Sequence, residues 1–150
     1  MLVTTTYAFV DGSYDKKKKI YGWGGFLVHD GKKTIIQGYG NDPEMVKMWN
    51  VAAEITGSMR AIQKAIELGI AELTIYYDYL GIEMWATGKW KRKKKGTKLY
   101  YEYIQSVKDS ITLHFVKVKG HSGIPGNEEA DKLAKEAVAN AVIKNNSTNK

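Results

Sequence analysis

The stretch Thr6-Tyr7-Ala8-Phe9-Val10-Asp11-Gly12-Ser13 is a run of β-branched and aromatic residues that ends at an acid, a glycine and a serine. This composition is typical of a β-strand, and we expect the first strand over residues 4–11. A carboxylate that closes an apolar strand is costly to bury unless something compensates its charge. The stretch therefore predicts a strand that carries Asp11 into a polar site.

Two further apolar runs, over residues 20–29 and 33–40, lie on either side of Asp30-Gly31. An Asp-Gly dipeptide between such runs is a strong signal for a two-residue β-hairpin. Residues 12–19 begin with glycine and serine and end in lysines, which is typical of a turn. We therefore expect strands 1–3 to be antiparallel neighbours.

The next part of the chain alternates between helix and strand. A loop over residues 41–50 is expected to end at Asn50, acting as a helix N-cap, and the helix after it is expected to stop at Gly69. Its apolar face is formed by residues at helical spacing: Val51, Ile55, Met59, Ile62 and Ile66. A strand over residues 72–78 then implies a parallel crossover.

The remaining pattern completes an α/β domain. We expect the following elements in this order: a helix over 79–85, a helix over 97–107, a strand over 111–118 and a helix over 127–142. The predicted fold class is therefore α/β, with a five-stranded mixed sheet, antiparallel strands 1–3 and helices on both faces.

The bulk composition favours one globular domain. With 150 residues, of which 43% are apolar, the chain is long enough to bury a core. We expect the domain over residues 1–143 and a disordered polar tail over residues 144–150. No apolar run is long enough to span a bilayer, and the start resembles no signal peptide. We therefore expect a cytoplasmic protein with no membrane partner. A monomer is expected as well. The absence of cysteine excludes disulfides and thiolate metal sites.

Positive charge is concentrated in two segments. The formal net charge is +7 and comes almost entirely from lysine. One basic run is Lys16–Lys19, and the other, Lys89–Lys95, is interrupted by Trp90. Basic segments of this kind favour a polyanion such as nucleic acid. An ordinary solvated loop over Lys89–Lys95 is the alternative.

Four acidic residues, Asp11, Glu54, Asp78 and Asp131, each end or enter a hydrophobic element. Taken singly, each has an ordinary structural interpretation: a turn residue, an acid near a helix N-terminus, a helix cap and a surface acid. Taken together, they would supply the oxygen ligands that Mg²⁺ and Mn²⁺ prefer. The set predicts a hard-cation site.

The chain also resembles the type 1 ribonuclease H family. The matching motifs are Val10-Asp11-Gly12-Ser13, Asn50-x-x-x-Glu54, Tyr76-Tyr77-Asp78 and a long signature from Val118 to Ala134 that contains Gly120-His121-Ser122-Gly123 and Asp131. The resemblance extends from about Thr6 to Ala139, and the order of elements is that of the family. It implies a ribonuclease H-like fold.

The resemblance implies an endonuclease that hydrolyses the RNA strand of RNA–DNA hybrids, leaving 5′-phosphate and 3′-hydroxyl ends. Asp11, Glu54, Asp78 and Asp131 match the family's metal-binding carboxylates, which would hold two Mg²⁺ or Mn²⁺ ions. Asp11 would bridge the ions, Asp131 would help to hold the ion that activates water, and Glu54 and Asp78 the other. His121 matches a loop histidine that would shuttle a proton or help product to leave.

Residues that would handle the substrate follow from the same resemblance. Gly12, Ser13 and Asn50 are candidates for reading the hybrid near the carboxylates. A second group matches the family's basic substrate-handling region: Trp85, Trp90, Lys91, Arg92 and Lys93. The chain departs from the family in its lysine-rich loop after the first strand, in Tyr79-Leu80 after Asp78, and in a shortened basic segment.

Three rival interpretations stay open at this point. The first is a binding module that keeps the fold without catalysis, and the presence of all four carboxylates and His121 argues against it. The second is a nuclease or strand-transfer enzyme of the same fold that acts on DNA, although such enzymes usually carry extra domains. The third is a nuclease domain taken from a longer protein. A strand that follows soon after Met1 favours a freestanding protein.

Overall fold

The computed structural model describes residues 6–119 and 123–148, with side chains up to residue 142. The elements in chain order are β1 (Tyr7–Asp15), β2 (Ile20–His29), β3 (Lys32–Gly40), α1 (Pro43–Val46), α2 (Asn50–Glu67), β4 (Glu72–Tyr77), α3 (Gly81–Ala86), α4 (Lys95–Val107), β5 (Thr112–Lys117) and α5 (Pro125–Thr148). Within these ranges, no helix is both long enough and apolar enough to cross a membrane.

The strands form one five-stranded sheet in the order β3-β2-β1-β4-β5. The pairs β1–β2 and β2–β3 are antiparallel, whereas β1–β4 and β4–β5 are parallel. Asp30 and Gly31 form the hairpin turn with φ of 50° and 75°, the left-handed conformation that Asp-Gly turns adopt. The predicted mixed α/β sheet is confirmed, and β1 is its central strand.

Helices cover both faces of the sheet, as predicted. Because side chains alternate along a strand, Gly22 and Gly24 of β2 face α5, whereas Trp23 between them packs against α2 at Gly57. The core between the sheet and α2 contains the fully buried Ala8, Val10 and Leu27. The two long helices are therefore fixed to opposite sides of β1 and β2.

The first hairpin differs from its prediction. We expected a turn over residues 12–19, but β1 continues to Asp15 and pairs with β2 as far as Ile20. Only Lys16–Lys19 form the turn, in which the Lys18 amide donates to Asp15 Oδ1 at 2.9 Å. Pairing across the hairpin has overridden the turn propensity of Gly12-Ser13, because each added pair completes backbone hydrogen bonds.

The segment before α2 also differs from its prediction. The expected loop contains the short helix α1, whose N-cap Asp42 accepts hydrogen bonds from the amides of Glu44 and Met45 at 2.9 and 3.2 Å. Asn50 is not the N-cap of α2 but its first helical residue. Trp49 occupies the cap position, with φ of 56° and no capping side-chain hydrogen bond.

Helix α5 is longer than predicted at both ends. We expected residues 127–142, whereas the helix spans Pro125–Thr148 and includes residues 144–148 of the expected disordered tail. Proline suits the first position of a helix, and neither glycine nor proline follows Gly126 to interrupt the helix. The division into a domain over residues 1–143 and a tail stays a prediction.

Candidate active site

Two neighbouring strands bring Asp11 and Asp78 together. Strands β1 and β4 are parallel, with Phe9 opposite Tyr76. Asp11 lies further along β1, and Asp78 follows the last residue of β4. Continuing the same register therefore places the two acids side by side, at the carboxyl edge of the central strands.

Helix α2 brings Glu54 to the same edge because Gly12 leaves room for it. A side-chain Cβ at Gly12 would lie 2.8 Å from both Ala53 Cβ and the Glu54 amide nitrogen, and closer still to the Asn50 carbonyl oxygen. The first turn of α2 thus rests directly on the β1 backbone. This contact fixes the position of Glu54 relative to Asp11.

Helix α5 brings Asp131 from the opposite face in the same way. A Cβ at Gly24 would lie 2.7 Å from the Ala130 carbonyl oxygen and would collide with the backbone at Leu133 and Ala134. Gly24 is paired with Asp11 across the β1–β2 ladder. The residue that lets α5 approach therefore lies directly beside the acid that Asp131 must reach.

The carboxylates form a compact, largely buried cluster. One ligand oxygen each from Asp11, Glu54 and Asp78 lies within 4.8 Å of the other two. Asp11 is 8% and Glu54 is 3% exposed. Glu54 Oε1 has no hydrogen-bond partner among the described residues. A buried carboxylate oxygen without a donor is unfavourable unless a cation binds it, so this set of donors fits a hard divalent ion.

The electrostatics of the cluster lead to the same conclusion. The pKa of Asp11 is raised from its ordinary 3.8 to about 7, first by burial and then by the negative charges of Asp78 and Asp131. The Gly12 amide, which donates to Asp11 Oδ1 at 2.9 Å, opposes that rise. Burial also raises the pKa of Glu54 well above its ordinary value, with Asp78 as the next cause. At neutral pH the cluster must therefore hold protons or a cation.

Asp131 completes the acidic group from the side of α5. Its carboxylate lies within hydrogen-bonding reach of Asp11, and its Oδ2 accepts from Lys135 Nζ at 2.9 Å. Asp131 is also more exposed than Asp11 and Glu54. The structure thus brings all four predicted carboxylates to one place, with three in a tight group and Asp131 at the rim.

Asp11, Asp78 and Asp131 line an open cleft of about 440 Å³, and the buried Glu54 lies behind its wall. Gly12, Ser13 and Asn50, all predicted to handle substrate, lie in its wall. Four further lining residues were not predicted for the site: Tyr14, Lys16, Trp49 and Lys135. The lysine run after the first strand was a usable signal for Lys16. Trp49 is 62% exposed.

The similarity of the chain to known proteins decides its family. The family model described as RNase H matches residues 4–139. The chain belongs to the ribonuclease H family. The predicted enzyme class, a ribonuclease H, is confirmed with it, and this family is metal-dependent.

Named ribonucleases H of two bacteria are similar in sequence. The protein of Francisella tularensis subsp. novicida is 33% identical over 149 residues, which cover 91% of this chain and 93% of the relative. That of Francisella philomiragia subsp. philomiragia is 33% identical over 144 residues, which cover 88% and 90%. The match therefore extends over nearly the full length of both relatives.

Solved ribonuclease H1 structures share the fold. The enzyme of Halobacterium salinarum superposes with a TM-score of 0.74 at 20% identity, covering 91% of this chain and 98% of the other. LC11-RNase H1 in complex with an RNA/DNA hybrid superposes with a TM-score of 0.68 at 18% identity, covering 89% and 99%. At these identities the likeness shows the fold.

The second predicted substrate group lies apart from the carboxylates and is divided. Trp85, Lys91 and Lys93 line a separate cleft of about 330 Å³. Trp90 packs edge-on against Trp85, with ring centroids 5.6 Å apart. Arg92 instead lies over the Tyr101 ring, 4.0 Å from its centroid, and lines another surface depression.

His121 falls outside the described residues, together with Gly120 and Ser122. The described structure resumes at Gly123, and α5 begins at Pro125. The role predicted for His121 in this ribonuclease H therefore stays a prediction. So does the assignment of individual carboxylates and substrate-handling residues, although the geometry places the four acids together.

Proposed function

We propose that the protein is an endonuclease that hydrolyses the RNA strand of RNA–DNA hybrids and leaves 5′-phosphate and 3′-hydroxyl ends. The grouping of Asp11, Glu54 and Asp78, with Asp131 at the rim, carries the proposal. Membership in the ribonuclease H family supports the substrate, as does the hybrid bound by the structurally similar LC11-RNase H1.

The four carboxylates would hold two Mg²⁺ or Mn²⁺ ions. When bound, such ions activate a water and stabilise the leaving oxygen. In the hydrolysis, the water oxygen forms a bond to phosphorus and the bond from phosphorus to the 3′-oxygen breaks. The 3′-oxygen takes a proton, and the phosphate stays on the 5′-carbon of the next nucleotide.

The chain's own residues would contribute position and charge. The contacts at Gly12 and Gly24 hold α2 and α5 against the strands, so Glu54 and Asp131 approach Asp11 from opposite faces. The buried oxygen of Glu54 is ready to bind a cation without first giving up a hydrogen bond to a described residue. His121, beyond the described residues, would move a proton or assist product release.

The hybrid would lie across both clefts. The carboxylate cleft would receive the RNA strand, with Gly12, Ser13 and Asn50 reading 2′-hydroxyls in the wide minor groove. The second cleft, lined by Trp85, Lys91 and Lys93, would receive the other strand through phosphate contacts. Trp90 would support Trp85, and Arg92 would add positive charge on the far side of the segment.

Cleavage of a labelled RNA–DNA hybrid tests the function directly. Wild type and Asp11→Asn are incubated with the hybrid, duplex RNA, duplex DNA and single strands, each with Mg²⁺ or Mn²⁺. We expect only the hybrid to be cut, only by the wild type, with 5′-phosphate ends identified by their susceptibility to a phosphatase. Hybrid binding without cleavage under either ion would favour a binding module, and cleavage of duplex DNA would favour the DNA-acting rival.

We further propose that the protein acts as a monomer in the cytoplasm, on RNA left by replication or transcription. Sedimentation at several protein concentrations, with and without hybrid, measures the oligomeric state. A sedimentation coefficient that rises with concentration in the free protein would contradict the monomer. Fractionation of the source cells, followed by an assay of hybrid cleavage, tests the compartment.

A further inference from the structure

Trp49 differs from the other three tryptophans of the chain. Trp23 packs near Tyr21, and Trp85 and Trp90 pack against each other and Tyr79. Trp49 is 62% exposed, and no other ring of the described residues packs against it. A large aromatic surface left in water at the wall of a cleft is typical of a binding contact.

The backbone at Trp49 is strained as well. Its φ of 56° and ψ of −133° lie in a region that side chains other than glycine rarely adopt. Such conformations persist only where the surroundings impose them, and they cluster at functional sites. Here α1 ends at Val46 and α2 begins at Asn50 with its first turn resting on Gly12, so Trp49 lies in the short connection between the two helices.

The junction between α1 and α2 separates the two clefts. Trp49 and Asn50 line the carboxylate cleft, whereas Met48 and Val51 line the cleft of Trp85, Lys91 and Lys93. A duplex with one strand in each cleft would turn its minor groove toward this junction. The exposed side chain of Trp49 lies at this junction, where the groove would pass.

We infer that Trp49 is a positioning residue whose indole packs against sugar edges in the minor groove of the hybrid. The inference rests on the proposed function and adds a contact for substrate placement. The minor groove of an RNA-containing duplex is wide and shallow, so a flat side chain can reach the sugars without opening base pairs. Because the contact lies beside the carboxylates and involves no reacting atom, it should act on substrate binding.

The glycine variant separates binding from folding. Glycine adopts positive φ without strain, so Trp49→Gly should melt at or above the wild-type temperature. An aromatic contact to nucleic acid accounts for about a tenfold or larger change in affinity. We therefore expect the KM for hybrid cleavage to rise about tenfold, with kcat changed much less. Leu68→Ala, at the other end of α2 and also exposed, is the control.

Two further variants test the need for a ring. Trp49→Phe should restore most of the affinity, whereas Trp49→Leu, with similar apolar character and no flat face, should resemble Trp49→Gly. If the glycine variant fails to fold, the difference between Phe and Leu answers the same question. A KM that is unchanged in Trp49→Gly, equal KM values for Phe and Leu, or a loss confined to kcat would each overturn the inference.

The wild type distinguishes this inference from the proposed function. If the wild type neither binds nor cuts the hybrid, both the proposed function and the contact at Trp49 are wrong. A wild type that cuts the hybrid, together with a Trp49→Gly variant of unchanged KM, removes only the contact at Trp49.

Discussion

The carboxylate cleft and the basic segment Lys89–Lys95 are built in opposite ways. In the cleft, Glu54 and Asp131 are held by helices that rest on glycine backbones, and Asp11 and Asp78 by adjacent strands. In the basic segment, the side chains of Lys91 and Lys93 extend into solvent, and neither makes an ion pair with a described residue. The function of the carboxylate cleft therefore depends on where its side chains are held, whereas that of the basic segment depends on its positive charge.

This difference predicts how each region responds to change. A buried charge cluster is unfavourable by itself and requires a cation. Mutations in it should therefore lower activity while raising the stability of the metal-free protein. An exposed lysine segment contributes long-range attraction that salt weakens. Each lysine that is mutated should therefore lower the affinity for nucleic acid by a small amount, and these losses should add.

Glu54→Gln should have the largest effect, with opposite signs on activity and stability. Hybrid cleavage should fall more than about a hundredfold, since even outer partners of metal ligands account for about 10–100-fold. The free energy of unfolding of the metal-free protein at pH 8 should rise, because a buried charge with a raised pKa is removed.

Cleavage rates and urea unfolding with a chelator measure the two effects of Glu54→Gln. Glu67→Gln is the matched control, since Glu67 ends the same helix in an exposed ion pair with Lys64. We expect that control to change neither quantity appreciably. If Glu54→Gln loses stability without metal, the Glu54 carboxylate does not destabilise the metal-free protein, and this explanation is wrong.

Gly12→Ala should have the next largest effect. The added methyl would meet Ala53 Cβ and the Glu54 amide at 2.8 Å, so α2 must shift. Overpacking of this kind costs about 1–3 kcal/mol, and the displaced Glu54 should lower cleavage as well. Thermal unfolding and cleavage measure both. In the control Gly31→Asn, the added Cβ meets nothing within 4 Å and asparagine tolerates the positive φ, so little should change.

Features that depend on local sequence patterns were predicted, whereas features that depend on close packing between distant segments were not. Strands β2 and β3 and the Asp30-Gly31 turn depend on local patterns and were predicted nearly to the residue. The grouping of the four acids was predicted from the family motifs that contain them, because the position of each acid alone also allowed an ordinary structural interpretation. The extension of β1 to Asp15, the cap position of Trp49 and the placement of Arg92 over Tyr101 depend on contacts between distant or irregular segments. No local pattern carries those contacts.

The stability of the metal-free protein should fall as pH rises from about 4 to about 7. The pKa of Asp11 is raised from 3.8 to about 7, so in this interval the folded state binds more protons than the unfolded state. The stabilisation is complete below the lower value and lost through the upper one.

Urea unfolding in a chelator across this pH interval measures the dependence. Asp11→Asn should flatten it, because asparagine carries no titrating proton at that position. Adding Mg²⁺ at pH 8 should restore stability in the wild type, since the ion binds the folded state preferentially. A wild type whose metal-free stability rises steadily from pH 4 to pH 7 would mean that other carboxylates dominate and that the cluster is not destabilised when empty.

The smallest effect is expected from the basic segment. Replacing Lys91 and Lys93 by glutamine should weaken hybrid binding at low salt and lower the slope of log affinity against log salt by about 1–2, because each phosphate contact releases counterions. Lys32→Gln with Lys108→Gln removes the same charge from exposed positions away from both clefts. Binding titrations at several salt concentrations compare the two pairs. If both pairs change the slope equally, the net charge attracts the hybrid and the position of the lysines is immaterial. If only the first pair changes it, the second cleft holds a strand of the hybrid.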